Sequence, residues 1–148
     1  MNGTCTCGAV AFETAPPLMR AICHCSICKA YHNKDFADFT VFRARGFSQT
    51  KPGHVTYKVH KQPPILKRGT CDGCAAPILE KLFIPGIPRL MLIPSRWIAE
   101  QDALPDPSLH MFYNLRVADH DDGLPKANGY LPSQMLFTRH FLPKLLGR

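Results

Sequence analysis

Seven cysteines fall into three tight groups: Cys5 and Cys7; Cys23, Cys25 and Cys28; Cys71 and Cys74. Thiolates gathered on short turns are natural ligands for a soft metal ion, most often zinc. Four thiolates close the coordination shell and make a structural site. Three leave a position open for water or substrate. Seven thiols divide naturally into four and three, so two zinc ions are expected. The two pairs, Cys5, Cys7, Cys71 and Cys74, are the expected ligands of a structural zinc. The triplet Cys23, Cys25 and Cys28 is expected to hold the second. Spacing alone leaves another division open, in which Cys5 and Cys7 join part of the triplet. The four-plus-three division has a physical merit: it ties the N-terminus to the middle of the chain, closing a long loop around the triplet.

A disulfide framework explains the cysteines less well. An odd number leaves one thiol over, and a bridge across Cys-x-Cys closes a small, strained ring. The chain opens Met1-Asn2-Gly3 with no charged-then-apolar leader. No apolar run is long enough to span a bilayer. A cytoplasmic location, where thiols stay reduced, is the expectation.

These thiols need a scaffold. The 148 residues fit one domain, 1–148, with 45% hydrophobic residues to build a core. Fourteen prolines spread along the chain leave little room for long helices. Gly8 permits a tight turn before a strand at 9–13. Further strands are expected at 39–42, 55–59, 78–84, 90–93 and 110–113. Residues 23–35 read as a cysteine-rich turn leading into one helical turn. A short helix at 95–100 would have Ser95 as its N-cap, and a tail helix would be capped by Ser133 and broken before Pro143. The fold class is mainly β, short antiparallel strands with few short helices. The formal charge of +7 falls to about +4 once seven thiolates and two zinc ions are counted. Its basic residues are dispersed, with Lys58, Lys61, Lys67 and Arg68 the nearest to a cluster, and read mainly as a solvated face, with an anion-binding patch as the alternative.

The segment Gly3-x-Cys5-x-Cys7-Gly8-Ala-Val10-x-Phe12 resembles the opening of the glutathione-dependent formaldehyde-activating enzyme family, which includes centromere protein V. Cys23-His24-Cys25-Ser26-Ile-Cys28-Lys29 is similar to its Cys-His-Cys-Ser-x-Cys-Arg/Lys signature. Arg68-x-x-Cys71-x-x-Cys74 resembles its later cysteine pair, and Pro107-Ser-x-His110-Met-Phe-Tyr113 its late segment. The resemblance covers about residues 3–115 and leaves a C-terminal extension at about 131–148 unmatched. It implies a β-tent-like zinc-binding fold, with the outer pairs on a structural zinc and the triplet on a second zinc at a glutathione site. Two departures stand out. Thr70 replaces an aromatic residue, and Ala75 replaces a glycine that eases the metal turn.

Three thiolates against a doubly charged ion make an electron-rich, weak Lewis acid, which acidifies water less than a three-histidine site does. Such a site suits a soft fourth ligand, such as a substrate thiol that ionises on arrival. Glutathione fits. With the family resemblance, the expected activity is that of a zinc-dependent carbon–sulfur lyase or glutathione-adduct synthase, acting on a thiol–aldehyde adduct such as S-hydroxymethylglutathione, which the resemblance implies. Cys23, Cys25 and Cys28 would act through the bound zinc. Nearby cations or donors would offset the added charge; His24, His32, Lys29 and Arg20 are nearest in sequence. His24 would move a proton or bond a thiolate, unless it is a turn residue that points away. Lys29 would bind a glutathione carboxylate, unless it is simply solvated. Ser26 reads as a turn hydrogen-bond donor and His110 as a packed core residue. The alternative is a non-enzymatic zinc module for protein or nucleic acid. The open triplet and the lack of a basic, disordered arm favour the enzyme, so neither a nucleic-acid nor a membrane partner is expected.

Overall fold

The architecture is that of a computed structural model, which describes residues 1–147. Its organising strand is β4, Ala37–Arg43, which is buried along almost its whole length. On one side β4 pairs antiparallel with β3, Met19–Cys23, and β3 pairs parallel with β10, Pro107–Met111. On the other side lie β9 (Leu90–Pro94), β8 (Pro77–Leu82), β7 (Leu66–Cys71) and β6 (Val55–Val59), each antiparallel to its neighbour. The seven-stranded order is β10-β3-β4-β9-β8-β7-β6. A second sheet joins β1 (Asn2–Thr4), β2 (Val10–Glu13) and β5 (Ser48–Pro52). The fold is mainly β, as expected, but the parallel β10–β3 pair departs from a purely antiparallel reading.

Side chains of a strand alternate between its faces, and here that alternation sorts the apolar residues into two cores. Phe39, Val41, Leu90 and Leu92 enter one core, with Met19, Ala21 and Leu109. Phe42, Met91 and Ile93 enter the other, with Phe12, Ile78 and Leu79. The cysteines follow the same division. Cys23 and Cys28 belong to the first core, Cys5 and Cys71 to the second. The two expected metal centres therefore sit on opposite faces of the large sheet.

Several boundaries differ from the sequence reading. The helical turn after the triplet is a two-turn helix, α1, Ser26–His32. The expected helix at 95–100 is a single 3-10 turn, Ser95–Trp97, and Ser95 does not cap it. Its buried hydroxyl instead bonds Thr40 Oγ1 at 2.8 Å and donates to Asp38 Oδ1 at 2.7 Å, crosslinking it to β4. The tail forms a sixteen-residue helix, α2, Tyr130–Leu145, longer than the short helices expected. It starts at Gly129 (φ 75°) rather than at Ser133. Ser133 lies one turn in, where its Oγ accepts the Phe112 N–H at 2.8 Å. The helix also continues past Pro143, because Leu146 N–H reaches the Leu142 carbonyl at 3.0 Å and completes the last turn. α2 packs on β10 and β3, burying Phe141 and Leu145 in the first core.

Candidate metal centres and an adjoining cavity

The turn after β1 carries Cys5 and Cys7, while Cys71 ends β7 and Cys74 lies in the turn that leads to β8. Gly8 takes the left-handed φ of 70° that turns the chain back into β2. The four thiols converge, each offering Sγ within 4.8 Å of the others. Three edges of this cluster are 3.5 Å for Cys5–Cys7, 3.6 Å for Cys5–Cys71 and 3.7 Å for Cys7–Cys71. A tetrahedron with zinc–sulfur bonds of about 2.3 Å has edges of about 3.8 Å, so the set has the size a zinc ion needs. Val10 N–H donates to Cys5 Sγ at 3.4 Å. Burial opposes a charge on Cys5, but that N–H and the neighbouring thiols outweigh it and lower the pKa to about 6. The Ala9 N–H favours a charge on Cys7, but the Cys5 and Cys74 thiols outweigh it and push that pKa up to about 12, so the first thiolate of the set forms at Cys5. Its awkward residue is Ala75, held at φ 55° where the sequence reading noted a missing glycine.

The triplet forms where β3 ends and α1 begins, again with the Sγ atoms within 4.8 Å of one another. Cys25 is the N-cap of α1, and its Sγ accepts the Cys28 N–H at 3.3 Å. Hydrogen bonds from the Cys23 and Cys28 thiols, then that N–H and the charge of Arg68, hold the Cys25 thiol far below its ordinary range. Cys23 is pushed well above it by its bonds with Cys25 and Cys28 and by burial. The surroundings thus favour one thiolate, on Cys25, and oppose charge on Cys23, so ionising the whole set takes a bound cation. Both cysteine clusters could hold metal ions and are compatible with zinc.

Arg68 was read as part of a solvated basic face, and the structure overturns that. It is buried, donates from Nη2 to Cys28 Sγ at 3.5 Å, and pairs through Nε with Glu80 at 3.0 Å. The partners face each other across the β7–β8 ladder, in register Arg68↔Glu80. Neither Arg68 nor Glu80 was singled out from sequence as a site residue. The register of the hairpin was the available signal, because it sets opposite charges side by side. His32 Nε2 approaches the same carboxylate at 3.5 Å.

The other candidates lie elsewhere. His24 is buried, but it does not line the cavity beside the triplet. Its Nε2 meets His110 Nδ1 at 2.8 Å, and His110 Nε2 meets Asp122 Oδ2 at 2.6 Å. Phe36, Tyr113 and His120 pack around the His24 ring. Lys29 Nζ donates to the Leu115 carbonyl at 2.7 Å. Arg20 is committed to Asp38, at 2.8 and 2.6 Å. His110 is fully buried, as its sequence reading had it.

A cavity of about 380 Å³ adjoins the triplet, and Cys23, Cys25 and Cys28 all contribute to its lining. Arg68 and Glu80 line it too. α2 supplies one wall, through Phe137, Phe141 and Leu142 among others. The sequence reading had no role for this tail.

A mainly β protein with a four-cysteine cluster and a separate, cavity-lining triplet defines the class, a fold organised around two thiol-rich centres. The family model for glutathione-dependent formaldehyde-activating enzyme matches residues 1–114, and the chain belongs to that family. Its fold is similar to that in the crystal structure of a protein from Rhodobacter sphaeroides, with a TM-score of 0.57 and 19% identity over 86% of this chain and 100% of that one. No curated protein matches the chain. α2 lies beyond the family match.

Proposed function

We propose that the protein joins a thiol to an aldehyde, or parts their adduct, at the site formed by Cys23, Cys25 and Cys28. The reaction after which the family is named uses glutathione and formaldehyde, giving S-hydroxymethylglutathione. One observation carries the reading: three converging thiols, one of them strongly favoured as thiolate, line a cavity large enough for a small molecule. The four-cysteine cluster offers a complete ligand set and lies on the other face of the sheet, which suits a structural zinc. A zinc ion held by the triplet would keep a position at which an arriving thiol is favoured in its ionised form.

The chemistry balances without an outside oxidant or reductant. The thiol loses its proton, its sulfur bonds to the carbonyl carbon, and the π pair moves to oxygen, which takes up a proton. Cleavage is the reverse. The chain's residues prepare for the added negative charge. Arg68 is aimed at Cys28 and held by Glu80, so its cation stays beside the sulfurs. The Cys28 N–H fixes Cys25 and stabilises its charge. His24 acts by position in this account. Its bond to His110 pins the triplet turn against β10, and its ring lies off the cavity. Lys29, tied to Leu115, holds α1 in place instead of binding a carboxylate.

The test compares glutathione with S-methylglutathione by calorimetry, in buffers of different ionisation enthalpy. Glutathione should bind with release of about one proton, because the thiol must ionise. S-methylglutathione keeps the peptide contacts but supplies no thiolate, and should bind much more weakly. Equal affinities with no proton released would contradict thiolate binding at the triplet.

A further inference from the structure

The cavity lining gives the charged ends of a tripeptide such as glutathione less than it gives an apolar body. Among the described residues, the charged side chains that line it are Lys61, Arg68 and Glu80. Arg68 and Glu80 are paired to each other, and Lys61 Nζ stands over the Tyr130 ring at 3.9 Å. Glutathione carries two carboxylates and an ammonium group. Taking these into such a space strips their water, and beside Lys61 only neutral groups such as Gln62, Gln134 and Thr138 are there to receive them. The rest of the lining is largely hydrocarbon. Leu66 and Leu82 come from the neighbouring strands β7 and β8, Ile65 and Ile84 from their flanks, and Phe137 and Phe141 from α2. The two α2 rings stack on each other with centroids 5.5 Å apart, and Phe137 also meets Phe39 at 6.5 Å. This wall belongs to the part of the chain outside the family match, so it is a feature of this protein's own C-terminal segment.

We propose that the thiol handled at Cys23, Cys25 and Cys28 carries an apolar body, an alkyl or aryl group of roughly six to ten carbons, held between α2 and the β7–β8 strands. Phe137, Leu82 and Ile84 are the residues that select it. The inference rests on the thiol-adduct reading of the triplet and names the substrate class within it. An apolar group gains affinity from every methylene it takes out of water, whereas the sulfur chemistry is the same along a homologous series. Chain length therefore reports the cavity, and the thiol group reports the triplet.

The experiment titrates zinc-loaded protein with ethanethiol, butanethiol and hexanethiol, and with glutathione and methyl hexyl sulfide, by calorimetry. Each buried methylene should tighten binding about fourfold, so hexanethiol, with four more of them, should bind about 250-fold more tightly than ethanethiol. Methyl hexyl sulfide has the hydrocarbon without the ionisable thiol, and should bind at least tenfold more weakly than hexanethiol. Phe137→Gln, with an unchanged melting temperature, should flatten the series by weakening hexanethiol and sparing ethanethiol. The homologous series stands alone should that variant fail to fold. A flat series with glutathione bound tightly would overturn the apolar body and leave the thiol site standing. Binding of no thiol at all would overturn both the site reading and this inference. A steep series in which methyl hexyl sulfide equals hexanethiol would show an apolar cavity not coupled to the triplet, and would overturn the proposal as stated.

Discussion

Arg68 and Glu80 form a buried ion pair that neutralises itself and still points a cation at Cys28. Removing one member leaves the other charged in a dry place. Arg68→Met should therefore cost about 3–5 kcal/mol in chemical denaturation, and adding Glu80→Leu should recover much of it. A near-neutral single variant would show that Glu80 finds another partner. A second residue-scale prediction concerns pH. Burial, with the nearby charges of His110, His120 and Lys29, lowers the His24 pKa to about 4. The unfolded chain binds this proton near pH 6.5, and the folded chain resists it. His24 thus contributes stability that is fully present above pH 6.5 and is lost as pH falls toward 4. On the order of 1–3 kcal/mol should disappear over that window. Denaturation curves at pH 7 and pH 5 should show a smaller loss in His24→Gln than in the parent, and identical losses would rule the effect out. Acid release of metal affects both proteins, so the difference between them isolates the histidine.

At the scale of elements, the β7–β8 turn holds Ala75 in the left-handed region, where a side chain costs roughly 1–2 kcal/mol. Ala75→Gly should raise stability by about 1 kcal/mol, less some gain in unfolded-chain entropy, and a thermal melt reads it. An unchanged or lower melting temperature would mean that the turn is not strained. The strands legible in sequence were those with clear alternation, such as Val55–Val59, or a continuous apolar run, such as Leu90–Pro94. β3 was hidden because Met19–Cys23 is short, has little alternation and runs straight into the cysteine signature. β1 and β5 were hidden because Asn2–Thr4 and Ser48–Pro52 have little apolar pattern, and their pairing with β2 makes them strands. The α2 start was misplaced for a related reason. Ser133 looks like a cap in sequence, but its hydroxyl is used by the Phe112 N–H of a segment twenty-one residues away.

Across the whole molecule, the cysteine pattern carried the most information. Ligand counting divided seven thiols into four and three, and the sheet places those sets on opposite faces. What could not be read from the chain was the surrounding space. Strand order decides that Arg68 meets the triplet, and the packing of α2 decides that hydrocarbon encloses it. No helix among the described residues is long and apolar enough to cross a membrane. The central claim is that the two thiol sets hold separate ions with separate duties. Zinc content of the parent and of Cys25→Ser, measured after mild reconstitution and removal of loose metal, tests it most directly. Two ions per chain are expected in the parent and one in the variant, with the variant still folded, because the four-cysteine centre remains intact. A parent firmly at one or none, or a Cys25→Ser variant that keeps two, would contradict it.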